Sequence, residues 1–176
     1  MQKILLLLCF ILVGLRIGSL FSIPASNTVN GRELPIYSVE TEKKQVALSF
    51  DAAWGNEDTA QILDILKKYN IHVTFFMTGE WIEKYPDDVK AIHEAGHDLG
   101  NHSENHKNMS QLSNEENTQE LLKAHEKVKE LTGVNMNLFR SPYGDYDNDV
   151  IKTATACGYY TIQWSVDILD IKVKIL

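Results

Sequence analysis

Two histidines, His102 and His106, stand four residues apart and are best placed to begin a site for a divalent metal. If the segment between them makes one helical turn, both imidazoles point the same way. Neutral imidazoles converging on one point are the usual start of a zinc-type site. A His-x-x-x-His pair is a weak signal by itself, because many such pairs merely sit on a solvated helix face. Its weight comes from Asp51, Arg140 and Asp167, each of which follows a short apolar run elsewhere in the chain. The chemistry suggested is that of a divalent-metal site with an acid and a guanidinium brought beside it.

The elements that must position these residues alternate. Residues 45–50 form an apolar run with β-branched and aromatic members, the pattern of a strand buried on both faces, and it ends at Asp51. Asn56 can cap a helix whose apolar residues Ile62, Leu63, Ile65, Leu66 and Tyr69 have helical spacing. Residues 71–77 make a second, central strand. Pro86 suits the first turn of a helix reaching about Ala95, and Gly96 suits its end. A short third strand, 98–101, leads straight into His102. Ser113 and Glu116 have capping-box spacing and open a long helix ending near Leu131, with Gly133 beyond it. The acidic run 115–120 on that helix reads as a solvated face. Residues 137–139 form a fourth strand ending at Arg140, and Asp147 caps a helix that runs to Cys157 and stops at Gly158. Residues 159–164 form a fifth strand, ending near Asp167. Such alternation argues a parallel α/β sheet with right-handed crossovers, in which working residues gather at the carboxyl ends of the strands.

Bulk properties narrow the function. The 176 residues suit one domain, 44% hydrophobic and 23% charged as in an ordinary globular protein. Net charge is −7, and the leader, residues 1–25, carries Lys3 and Arg16 but no acid. The rest of the chain therefore has no basic stripe to neutralise phosphates, which disfavours nucleic acid as a partner. Two cysteines, Cys9 and Cys157, make no disulfide framework. Residues 4–21 are apolar apart from Arg16, which reads as a signal peptide or a membrane anchor, with Ala25 a possible cleavage position. Export to the cell wall, the medium or the membrane surface is the expected localisation. Residues 26–44, rich in polar residues with Gly31 and Pro35, read as a linker before a domain spanning 45–176.

Four segments resemble the motifs of the polysaccharide deacetylases, the family with the NodB homology domain (carbohydrate esterase family four). Phe50-Asp51-Ala52-Ala53-Trp54-Gly55 is similar to the first motif, Thr-Phe-Asp-Asp-Gly. His102-Ser103-Glu104-Asn105-His106 matches the second and Arg140-Ser141-Pro142-Tyr143-Gly144 the third. Residues 164–170 resemble the start of the fourth, Asp-x-x-Asp-Trp. The Asp-Ala-Ala-Trp-Gly form with a hydrophobic leader is most similar to sporulation-type members. The resemblance implies a distorted (β/α) barrel and metal-dependent removal of N-acetyl groups from amino sugars in a polysaccharide, peptidoglycan or a chitin-like polymer. It implies that Asp51 is the general base, that His102 and His106 hold the metal, zinc in most relatives, and that Arg140 orients Asp51. The N–H of Tyr143 then stabilises the oxyanion, Asp167 and Asp170 tune a catalytic histidine, and Trp54, Pro142 and Tyr143 line the sugar groove.

The sequence also departs from the family pattern. The second aspartate of the first motif, a metal ligand in typical members, is Ala52. The tryptophan of the fourth motif is Ile171, and the fifth motif, Leu-x-His, is missing, so the barrel is expected to be incomplete at its C-terminal end. Asp58 or Glu104 could stand in as the third ligand. These departures define the rival expectation, a protein of the cell wall or spore envelope that keeps the sugar groove without the chemistry.

Overall fold

The computed structural model describes residues 28–167, so the leader and Asp170 lie outside the described residues. Its centre is a five-stranded, wholly parallel sheet. The strands are β3 (Ser49–Ala52), β4 (Thr74–Met77), β5 (Asp98–Asn101), β6 (Leu138–Phe139) and β7 (Tyr160–Thr161), in that spatial order. Register pairs Asp51 with Phe76, Phe76 with Gly100, and Asn101 with Phe139. The carboxyl ends of β3, β5 and β6 are thereby brought level, and this is what gathers the site. The α/β class with parallel strands read from the sequence is the observed one.

Helices α1 (Thr59–Tyr69), α2 (Gly79–Lys84), α3 (Pro86–Glu94), α4 (Asn114–Thr132) and α5 (Asn148–Ala156) fall between the strands. Several ends are set by the signals in the sequence. Ser113 and Glu116 form a reciprocal capping box, Gly133 ends α4 with φ 76°, and the Asp147 carboxylate accepts from the N–H groups of Asp149 and Val150. The core lies between β4, β5 and β6 and the helices, with Met77, Ile82, Val89, Ile92, Leu121, Ala124, Val128, Phe139 and Val150 all buried. Each large apolar side chain so buried contributes about 2 kcal/mol.

The structure corrects several expectations. The first strand begins at Ser49 and runs through Asp51 and Ala52, whereas Val46 is 85% exposed. Among the described residues β3 pairs only with β4, so it is an edge strand with neither face fully covered, not one buried on both faces. The second strand is four residues, because Ile71 is still packing at the end of α1, its N–H donating to Leu66 O. Asn56 does not cap α1: the N-cap residue is Asp58, and the Asn56 side chain donates to Asp88 at 2.6 Å. Helix α2 was not expected. It starts because the Thr78 hydroxyl accepts from Trp81 N–H.

Part of the stretch read as a linker is structured. Thr28–Val29 and Arg32–Glu33 (β1 and β2) pair antiparallel, and Ile36 bridges Ile162 in parallel beside β7. A second correction concerns α4: Glu115 and Glu116 are exposed as expected, but Asn117 and Glu120 are buried. Among the described residues no helix is long and apolar enough to cross a membrane.

Candidate functional site

Arg140 sits at the end of β6 and is 5% exposed, and its burial is made tolerable by partners on two strands. Nη1 donates to Asp51 Oδ1 at 2.7 Å and Nη2 to Ser49 Oγ at 2.8 Å, both on β3. The guanidinium lies 4.1 Å above the Phe76 ring and 5.6 Å from that of Trp164. Phe76 can occupy that place because the neighbouring strand carries Gly100, where a Cβ would come within 2.5 Å of the ring. One residue, Arg140, thus ties the first and third motifs together.

His102 follows β5 and is 2% exposed. Its N–H donates to Met77 O, and its ring Nδ1 lies 2.7 Å from Arg140 O. A carbonyl can only accept, so Nδ1 carries the proton and Nε2 keeps its lone pair. That lone pair faces Asp51 Oδ2 at 3.9 Å. His106 packs edge-on to His102, the ring centroids 4.9 Å apart. Trp54 and Tyr143 flank the His106 ring at 4.7 and 4.5 Å. Burial lowers the pKa of both imidazoles from the ordinary histidine value, against the pull of Asp51, which favours their neutral forms. Trp54 is 76% and Tyr143 63% exposed, two aromatic faces standing open beside the histidines. Pro142 is buried at the start of the 3₁₀ turn that presents Tyr143 with φ 60°.

Asp51, His102, His106, Arg140, Tyr143 and Trp54 therefore come together. Trp81 is buried, its indole N–H donating to Gly55 O at 2.6 Å. Asp167 is the last described residue and half-buried. Glu104, considered as a substitute ligand, is occupied elsewhere: its Oε1 accepts from Lys127 at 2.6 Å. Sequence reasoning missed Asn101, whose Oδ1 accepts from Ser103 N–H and whose amide donates to Tyr159 OH and Leu121 O. Its place directly before His102 was the only available signal.

The donor set bears on a metal. His102 has the arrangement of a ligating histidine, with one ring nitrogen on a backbone carbonyl and the other free to ligate. His106 adds a second imidazole whose buried Nδ1 has no partner. Ala52 offers no donor, and among the described residues no three His, Cys, Asp or Glu side chains form a ligand group. The residues fit a divalent ion as two imidazoles, one protein ligand short of the three usual in a catalytic zinc site.

Comparison with known proteins agrees with this geometry. The family model for polysaccharide deacetylase matches residues 38–162. A peptidoglycan-N-acetylglucosamine deacetylase of Bacillus cereus is 38% identical over 136 residues, 77% of this chain and 50% of that protein. The peptidoglycan-N-acetylmuramic acid deacetylase PdaA of Bacillus subtilis is 35% identical over 139 residues, 78% of this chain and 53% of the relative. The chain thus spans about half the length of these curated relatives. Among solved structures, BA3943 of Bacillus anthracis, described as a CE4 family pseudoenzyme, superposes with TM-score 0.75 at 37% identity, covering 78% of this chain and 49% of that one. The PdaA structure gives 0.73 at 34% identity, covering 79% and 60%. By sequence and by fold, this chain belongs to the polysaccharide deacetylase family.

Proposed function

We propose that this chain hydrolyses N-acetyl groups of N-acetylated amino sugars in a cell-wall polysaccharide, peptidoglycan by analogy with the relatives' names. The observation that carries the reading is the Asp51 carboxylate, fixed by Arg140 at 2.7 Å with its other oxygen 3.9 Å from His102 Nε2. Held on one side, Asp51 has Oδ2 left to take a proton from a water attacking the acetyl carbonyl. His102 and His106 are the residues to hold a divalent ion, zinc by the family resemblance, and that ion's contribution is an acidified water at neutral pH. The backbone N–H of Tyr143, whose ring packs 4.5 Å from that of His106, is the donor that the family resemblance assigns to a developing oxyanion. Trp54 and Tyr143 offer faces for sugar rings. The apolar leader fits an exported protein acting at the wall.

The test is release of acetate from acetylated chito-oligomers or peptidoglycan by the full chain with zinc supplied. Chelator-sensitive release is expected, and Asp51→Asn lowers it by about 100-fold or more. A folded, zinc-supplied protein that releases none contradicts the reading. Ala52 favours a second one, a glycan-binding protein without chemistry. That reading requires glycan affinity that survives Asp51→Asn, and loss of all affinity at physiological salt would sink it.

A further inference from the structure

The loop between the two histidines is held by a residue outside every motif. Glu120 lies on α4, is 4% exposed, and directs its carboxylate at that loop. Oε2 accepts from the backbone N–H of Glu104 at 3.1 Å and of Asn105 at 2.7 Å. Oε1 accepts from the Asn105 side-chain amide at 2.7 Å and pairs with Lys107 Nζ at 3.1 Å. Four donors thus meet one buried anion, and bonds to an ionised acceptor are the strong ones. The segment needs such a clamp. Ser103 and His106, neither of them glycine, hold left-handed backbone with φ 68° and 53°, a conformation that persists only where the surroundings impose it.

The two histidines depend on this clamp unequally. His102 is fixed independently, by Met77 O on its backbone and Arg140 O on its ring. The His106 ring has no hydrogen bond at Nδ1, and the residue is anchored through its backbone N–H to Ser103 Oγ at 3.1 Å. Its direction therefore follows the path of residues 103–106. We propose that Glu120 is a positioning residue that sets the orientation of His106 toward His102 by fixing the backbone of Glu104 and Asn105. The proposal rests on the two-histidine metal reading above and names what makes the second ligand converge.

The experiment compares the full chain with Glu120→Gln, Glu120→Ala and, as a control on the same helix, Glu116→Ala. Glu116 closes the helix cap and lies outside the loop contacts. Three quantities are read: the imidazole NMR signals of His102 and His106, zinc affinity, and the thermal midpoint. Both Glu120 variants are expected to shift the His106 signals, leave those of His102 in place, and weaken zinc about tenfold. Glutamine, which keeps one acceptor oxygen, should be the milder. Glu116→Ala should lower the thermal midpoint and move neither other readout. Unchanged His106 signals and zinc affinity in folded Glu120→Gln overturn the proposal, as does an equal shift in Glu116→Ala. Should the wild-type chain take up no zinc, the metal reading fails and the ring signals decide alone. A shift confined to His106 upholds the clamp, and no shift overturns it. Glu120→Gln keeps the size of the side chain and carries the test if Glu120→Ala does not fold.

Discussion

The two sides of the site are built differently. On the β5–β6 side, His102 and Arg140 are 2% and 5% exposed, each fixed by several bonds from neighbouring strands. On the β3 side, Asp51 is 36% exposed at the side chain, Ala52 is half-buried, and Trp54 stands open. The difference follows from sheet position. A strand paired on both sides inherits partners for its polar groups, while β3, paired on one side among the described residues, must find them one at a time, and Asp51 finds Arg140. A central residue of the site cannot change without unsettling packing. An edge residue can, so position 52 tolerates alanine at little structural cost while the histidine side stays assembled.

Removing the guanidinium that bonds across from one side to the other should have the largest effect. Arg140→Ala leaves Asp51 and Ser49 without their partner and opens space over Phe76. A loss of about 2 kcal/mol is expected in denaturant unfolding, below the full penalty of a buried pair because Asp51 is partly exposed. Next, Ala52→Asp adds a second carboxylate to the edge strand, next to Asp51. Zinc affinity should rise about tenfold or more, as ligand-shell changes of that order usually do, with stability nearly unchanged. An unchanged affinity in calorimetric titration would show that position 52 does not face the histidines.

Trp54→Ala isolates the exposed edge. Glycan affinity should fall by about 1 kcal/mol, the scale of an aromatic stacking contact, while the thermal midpoint holds because the side chain is 76% exposed. The smallest effect is on pH dependence. Burial, with His72 nearby, lowers the His97 pKa, Asp98 opposing, and burial likewise lowers those of His102 and His106. Below the usual histidine pKa of about 6.5 the unfolded chain takes up protons that the folded chain refuses. Stability should therefore be flat above that pH and decline below it. His97→Gln, which keeps an acceptor for Val73 N–H, should lessen the decline in thermal midpoints measured between pH 7 and 5.

What was legible in the sequence is what local chemistry dictates. Ser113 with Glu116, Asp147 and Gly133 declare helix ends whatever the tertiary context, and the strand-end polar residues follow from an alternating βα pattern. The apolar run 45–50 speaks of a strand buried on both faces only if both neighbours are present, and among the described residues β3 has one. Helix α2 escaped notice because six residues carry too little periodicity. Glu120 looked like one more charge on a solvated helix, since nothing local says that a loop fifteen residues earlier will fold its N–H groups onto that carboxylate. Glu104 reads from the sequence as a plausible ligand because nothing local reveals that Lys127, on α4, pairs with its Oε1.

The account turns on whether the histidine side binds a divalent ion with Ala52, which offers no donor, beside Asp51 on the edge strand. The most direct measurement is calorimetric zinc titration of the full chain beside His102→Ala and His106→Ala. One saturable site, abolished by either substitution, is the predicted result. A folded wild-type chain that takes up no zinc, or zinc binding indifferent to both substitutions, would contradict it.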